Sequence, residues 1–254
     1  MKQFENLKAK QLIPNTFFLL LLGMVFLSSC KKQNACDCIK RTGTIETTKR
    51  WVSNFDKLLV KDNLNVFITQ APEFSVEVEA GKNVGWLIET EVDNGTLVIT
   101  NKNRCNWARS YNKTLNVYVH MPVINYITSD GTGNIKSMNT ITTPDFDIQI
   151  KNSGNIDLTV NNHSVTSHIF GYGDVTLSGT THEHDADIGG CSFLNCKDLH
   201  TSITYVHTFT TGLCYVNATD ELKCYIDLNG DVYCYGNPPT IDKKITGDGK
   251  LYFE

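Results

Sequence analysis

The chain has 254 residues, 41% of them hydrophobic, with 23 Lys and Arg against 27 Asp and Glu and a formal net charge of −4. That length carries one sizeable domain or two small ones. Beyond the leader and "CKK" (30–32) there is no Lys/Arg cluster, which excludes a nucleic-acid partner that must be held by phosphate neutralisation.

Residues 1–29 read as a lipoprotein signal peptide and are set aside before fold reasoning. Lys2, Lys8 and Lys10 stand against Glu5, and "FFLLLLGMVFL" (17–27) then runs without a charge. The run is shorter than the roughly 20 residues a spanning helix needs. Leu27-Ser28-Ser29-Cys30 resembles the lipobox of bacterial lipoproteins, in which an aliphatic and two small residues precede the cysteine that is acylated. Cys30 is therefore the expected lipidation site, the start of the mature chain and its attachment to the membrane. Without residues 1–29, which hold three lysines and one glutamate, the net charge is −6. The expected location is the cell envelope, lipid-anchored at the outer membrane. "KKQN" after Cys30 carries no acidic residue, so the periplasmic face and the cell surface both stay open.

Residues 30–50 read as a tether, and residues 51–254 as the folded domain. In its N-terminal β region (51–128), "FDKLLVKDNLNVFITQ" (55–70), "FSVEVEAG" (74–81), "LIETEVDNGTLVIT" (87–100) and "TLNVYVHMP" (114–122) alternate apolar and polar residues, the period of a half-buried strand. "DNGT" (93–96) between two such runs is a hairpin signal. This block is expected to cap or begin the remainder of the domain, covering an edge that otherwise invites aggregation.

From residue 129 onward the chain repeats itself. "GTGNI" (131–135) returns as "NSGNI" (152–156), "GYGDV" (171–175), "LNGDV" (228–232) and "GDGKL" (247–251), with weaker copies at "GGCSF" (189–193) and "TGLCYV" (211–216). Gly133, Gly154, Gly173, Gly190, Gly212, Gly230 and Gly249 mark a period of just over 19 residues, with Gly189 the alternative marker in its unit. Two residues past the marker stand Ile135, Ile156, Val175, Cys214, Val232 and Leu251; four past it stand Leu158, Leu177, Leu194, Val216, Cys234 and Phe253. One inward apolar row per short unit cannot be buried alone, so the units are predicted to stack as coils of an all-β solenoid with a shared core. The glycine then sits at a corner, where φ is positive or the coils crowd. A phosphate cradle needs a third glycine and a following helix, and neither is present.

The order "NFDKLLVKDNLNVFITQ", "VEVEAGKNV", "TEVDNGTLVI", "LNVYVHMP", then Gly-Asn/Asp repeats closing in "NGDVYCYGNP" (229–238), resembles the family called "putative auto-transporter adhesin, head GIN domain" over roughly residues 51–254. The resemblance implies a right-handed parallel β-helix, in agreement with the repeat. It implies adhesion, and it carries no catalytic residues. The cysteine richness and the damaged repeat near Gly190 depart from the usual pattern.

Three constellations are candidates for chemistry. In "THEHDAD" (181–187), His182 and His184 would point the same way on a strand and offer two imidazoles to a metal, with His163, His200 or His207 as third ligand; a solvated loop is the bland reading, and no cofactor is expected. Cys36-Asp37-Cys38 lies in the tether, too tight for a Cys-x-x-Cys site. Cys191, Cys196, Cys214 and Cys234 are disulfide candidates or core thiols, because an exported chain with an even number of cysteines after Cys30 favours pairing. Stacked coils about 4.8 Å apart bring Cα atoms within disulfide range, with Cys191 above Cys214 if Gly189 is the marker. Trp51, Trp86, Trp107 and the tyrosines Tyr205, Tyr215, Tyr225, Tyr233 and Tyr235 are candidate sugar-stacking surfaces, of which Tyr233 and Tyr235 are placed outward by their odd offsets.

No Gly-x-Ser-x-Gly, His-Glu-x-x-His or paired-carboxylate signature occurs. The expected function is a non-enzymatic, adhesin-like envelope protein binding a polysaccharide or a protein. The alternatives are a polysaccharide-degrading β-helix enzyme and a purely structural envelope component. No arginine follows Arg109, which disfavours a lyase with an arginine base.

Overall fold

The computed structural model describes residues 41–103 and 115–254. Residues 1–29, expected as a signal peptide, and Cys30, Cys36, Cys38, Cys105 and Trp107 lie outside the described residues. Apart from a single 3-10 turn at Gly85–Leu87, the described elements are all strands. No helix among them is long and apolar enough to cross a membrane.

The N-terminal strands are β1 (Ile45–Arg50), β2 (Lys57–Asp62), β3 (Asn65–Gln70), β4 (Ser75–Gly81), β5 (Ile88–Asp93), β6 (Thr96–Asn101) and β7 (Asn116–Met121). The repeats follow as β8 (Tyr126–Gly131), β9 (Ile135–Ser137), β10 (Asp145–Ile150), β11 (Ile156–Ile169), β12 (Val175–Gly190), β13 (Leu194–Thr210), β14 (Cys214–Asn217), β15 (Glu221–Ile226), β16 (Val232–Tyr235), β17 (Thr240–Ile245) and β18 (Leu251–Phe253). They wind into a parallel β-solenoid of about seven turns with a period of about 19 residues, as the repeat predicts.

Each turn gives one strand to each of two stacks. Face 1 is built in order from β6, β2, β8, β10, the C-terminal halves of β11, β12 and β13, then β15 and β17. Face 2 is built from β7, β3, β9, the N-terminal halves of β11 to β13, then β14, β16 and β18. Both faces bury alternate residues against each other, so the core is a column of Ile, Leu and Val running along the axis.

The N-terminal block is woven into these stacks. The first turn in the chain, β2 and β3, lies second in space, between β6/β7 and β8/β9. Among the described strands antiparallel pairing is confined to this end: β5 covers β6, and β4 lies between β7 and β1, so that β1 again runs with β7. The cap is therefore narrower than residues 51–128. It closes the ladder where parallel stacking stops, which hides the unpaired backbone groups of β6 and β7. The predicted hairpin is present between β5 and β6, with Asn94 and Gly95 at φ 49° and 76°, the left-handed pair that a tight turn of this kind requires.

The register gives each inward row in full. Val66, Ile135, Ile156, Val175, Leu194, Cys214, Val232 and Leu251 stack as one column. Leu194 thus lies two residues past its marker, not four, and the marker of that turn is Ser192. The glycine column confirms this: a Cβ on Gly173 would fall 2.1 Å from the Gly154 carbonyl oxygen, and one on Gly212 would fall 2.0 Å from that of Ser192. Gly190 belongs to the neighbouring column, packed on Gly171. Ser192 is fully buried and donates its hydroxyl to the Gly171 carbonyl at 2.9 Å, which satisfies the only polar atom its side chain brings into the corner. None of Gly133, Gly154, Gly173, Gly212, Gly230 and Gly249 has positive φ. Coil crowding alone is what selects them.

Candidate ligand-binding face

On face 1, alternation places Ala186, Ile188, Val206, Cys224 and Ile226 inward and buried. The residues between them point out, and the parallel register stacks them into columns. One column reads Gln149, His168, Asp187, His207, Tyr225; its neighbour reads Asp147, Thr166, Asp185, Tyr205, Lys223. Asp185, Asp187, Tyr205, His207, Lys223 and Tyr225 line a depression of about 400 Å³.

Polar groups in this depression alternate along the axis. Asp187 lies 3.4 Å from His168 Nδ1 and 3.6 Å from His207 Nδ1. His207 Nε2–H donates to Asp227 Oδ2 at 2.8 Å, and Thr246 donates to the same carboxylate at 2.6 Å. The bond from His207 is the main reason the Asp227 carboxyl is held below its usual range. Asp185 moves the other way: partial burial raises its pKa, and the Asp187 charge raises it further. The Lys223 ammonium sits 4.5 Å from the Tyr205 ring centroid, a cation–π contact. Tyr225 Oη donates to Asp242 at 3.2 Å.

Beside these columns is an aromatic clasp. The Phe170 and Phe209 rings stack at 5.5 Å, inclined by 28°, although Phe170, directly after β11, and Phe209, in β13, are separated by β12. What lies between them is Gly189, where a Cβ would be 2.4 Å from the Phe209 ring and 3.2 Å from that of Phe170. The absent side chain lets two rings close over the sheet. Phe170 remains 49% exposed, and His168 and His207 flank the pair at 6.2 and 5.4 Å. The stacked pair forms an apolar patch beside a carboxylate and two imidazoles, groups that can meet a sugar's C–H atoms and hydroxyls respectively.

The residues singled out from sequence separate in space. His182 and His184 do not share a side, because the chain turns a corner between them. His182 is exposed and stacks on His163 at 5.1 Å, whereas His184 is fully buried with Nε2 3.1 Å from Ser167 Oγ. His200 Nδ1 pairs with the Asn217 amide and His207 with Asp227. Among the described residues no group of three metal-ligating side chains converges. Cys191 is exposed beside Thr211, so it does not stack on Cys214, which lies between Leu194 and Val232. Cys196, Cys214 and Cys234 are buried free thiols, joined by Cys224. Burial pushes Cys214 and Cys224 up to about 12 and Cys234 up to about 11.

Tyr233 and Tyr235 point outward from face 2. Tyr233 is the middle ring of a ladder, 5.3 Å from Tyr215 and 4.9 Å from Tyr252, and Tyr235 stands 6.3 Å from Tyr215. Trp51 and Trp86 are exposed and lie outside both groups. The face 1 depression uses Tyr205 and Tyr225, which composition singles out. Phe170, Gly189, Phe209 and the Asp–His alternation escape a reading of single strands, because only the register between turns brings them together.

The solved structures that this chain resembles share its fold. A "putative adhesin" from Bacteroides fragilis superposes with a TM-score of 0.78 at 21% identity, covering 83% of this chain and 97% of its own. A "putative adhesin" from Parabacteroides distasonis gives 0.65 at 21% identity, with 84% and 98% covered. A "putative lipid binding protein" from the same organism gives 0.65 at 18%, with 84% and 97% covered. No curated protein matches. The model of the family "putative auto-transporter adhesin, head GIN domain" matches residues 54–238, and the chain belongs to that family.

Proposed function

We propose that this protein is a non-enzymatic, adhesin-like lipoprotein of the cell envelope that binds a glycan on face 1. The lipobox at Leu27–Cys30 supports anchoring through Cys30 at the outer membrane, with a tether that ends before residue 42, since Thr42 and Thr44 already bond to residues 82 and 83 and Ile45–Arg50 pairs with β4 in the cap. The observation that carries the binding reading is the Phe170–Phe209 clasp over Gly189, set beside Asp187 and His207. Phe170 is half in water and Phe209 only partly buried, and the imidazoles of His168 and His207 with the Asp187 carboxylate stand beside anything stacked on them.

The test is a glycan array probed with the purified mature domain and its Phe170→Ala/Phe209→Ala variant. Glycan binding that the variant loses supports the reading; a binding pattern unchanged by the variant moves the site elsewhere. Phosphatidylglycerol vesicles added as a separate arm report on lipid as the ligand instead. Anchoring is read by labelling with a palmitate analogue, which Cys30→Ala abolishes.

Hydrolysis is the second reading, favoured by one observation: Asp185 and Asp187 are two residues apart on one strand, with the Asp185 carboxyl raised. Carboxylates at that spacing of about 7 Å fall within the separation used by inverting glycosidases. Release of reducing ends from a bound polysaccharide, lost in Asp185→Asn, would establish it.

A further inference from the structure

A second depression, of about 450 Å³, lies on face 1 and is lined by Lys57, Tyr126, Asn125, Asp147, Gln149 and Lys151, among others. It occupies the same outward columns as the first. Tyr126 pairs with Asp147, Asp147 with Thr166, Thr166 with Asp185, and Asp185 with Tyr205, strand by strand. Between the two depressions stands only the turn carrying Thr166 and His168, and His168 is already in the polar row through Asp187. The two depressions are thus aligned along the solenoid axis, as the ends of one trough of outward side chains that the Thr166 and His168 turn bridges.

Its chemistry is balanced. Lys57, Lys151 and Lys223 line the two depressions together with Asp147, Asp185 and Asp187. Three cations stand against three carboxylates in the lining, and Asp227 and Asp242 add two more carboxylates at the rim, so no cationic surplus is there to concentrate an anionic polymer. What they offer, with Asn125, Gln149 and the tyrosine hydroxyls, is a long row of donors and acceptors. Tyr126 already donates to Gln149 at 2.9 Å, which holds its ring against the trough floor. From the Lys57 strand to the Lys223 strand there are six strand spacings, about 29 Å in total.

We infer that the ligand of face 1 is a linear, uncharged glycan lying along the solenoid axis and spanning both depressions. This rests on the glycan-binding reading above and adds the polymer's charge, direction and length. An extended pyranose chain advances by about one strand spacing per ring, so roughly six rings fill the trough. Every turn then meets the ligand with the same backbone geometry and a different pair of side chains.

The experiment titrates the full mature domain with size-graded dextran, mannan and cello-oligosaccharide ladders of two to eight residues, by calorimetry. The expected result is that one ladder binds, with affinity rising at least tenfold from dimer to hexamer and then levelling. Tyr126→Ala and Lys151→Ala at one end and Tyr205→Ala at the other, each confirmed as folded by circular dichroism, should each weaken the hexamer five- to tenfold; a hexamer affinity untouched at either end overturns the spanning mode. Equal affinity for dimer and hexamer overturns the spanning mode. Binding of charged polysaccharides in the array but of none of these ladders overturns the uncharged ligand and leaves the glycan reading standing. No binding to any glycan in either experiment overturns both.

Discussion

Ser167 and His184 meet across neighbouring turns, Oγ to Nε2 at 3.1 Å, with neither side chain touching solvent. His184 Nδ1 has no partner within the described residues. Burial therefore drives its pKa down from 6.5 to about 4, since a charged imidazole there would have no compensating group. The unfolded chain takes up this proton near pH 6.5 and the folded chain only near pH 4. Below 6.5 the unfolded state binds more protons, so stability falls as pH drops through that window, by about 3 kcal/mol for this group. Urea unfolding at pH 7, 5.5 and 4 should show a loss that His184→Leu reduces. Equal pH dependence in both proteins would mean that the loss arises elsewhere.

Two glycine substitutions should separate folding from binding. Gly133→Ala sets a methyl group 1.8 Å from the Leu64 carbonyl oxygen, inside the stack where nothing can yield; we expect it to cost about 2–4 kcal/mol. The atoms nearest a methyl group in Gly189→Ala belong to the outward Phe209 and Phe170 rings, which can swing into solvent. The melting temperature of this variant should stay near that of the parent while glycan binding falls at least fivefold.

At the other end of the rod, β17 is exposed along its whole length, and its ladder continues on one side only within the described chain. Lys243 pairs with the buried Cys224 and therefore sits in the inward row, between Ile241 and Ile245. An inward charge on a final strand discourages another strand from adding. Lys243→Ile should associate end to end more strongly than the parent at tens of micromolar, read by light scattering of both proteins. A variant that scatters like its parent would assign the protection to another feature.

The thiols should divide by location. Cys191 is exposed, while Cys196, Cys214, Cys224 and Cys234 are buried with raised pKa values, so little thiolate is available to react. Iodoacetamide under native conditions, followed by peptide mass spectrometry, should modify Cys191 and spare the other four until denaturant is added. Rapid labelling of Cys214 would contradict the packing described for it.

Taken residue by residue, the sequence determined the strand period, the 19-residue repeat and the inward rows. Each depends on a local rule, alternation and a corner glycine, that every turn obeys separately. It thus showed Ile156, Val175 and Val232 as one column and Tyr233 as outward. Where a turn breaks the rule, only the tertiary structure decided: Ser192 replaces the marker glycine because its hydroxyl finds the Gly171 carbonyl, and His184 parts from His182 because a corner resets the alternation. The placing of β2 and β3 between later strands, and the meeting of Phe170 with Phe209 over Gly189, are contacts between turns. Such contacts depend on which strand lies beside which, and neither alternation nor spacing within a strand contains that.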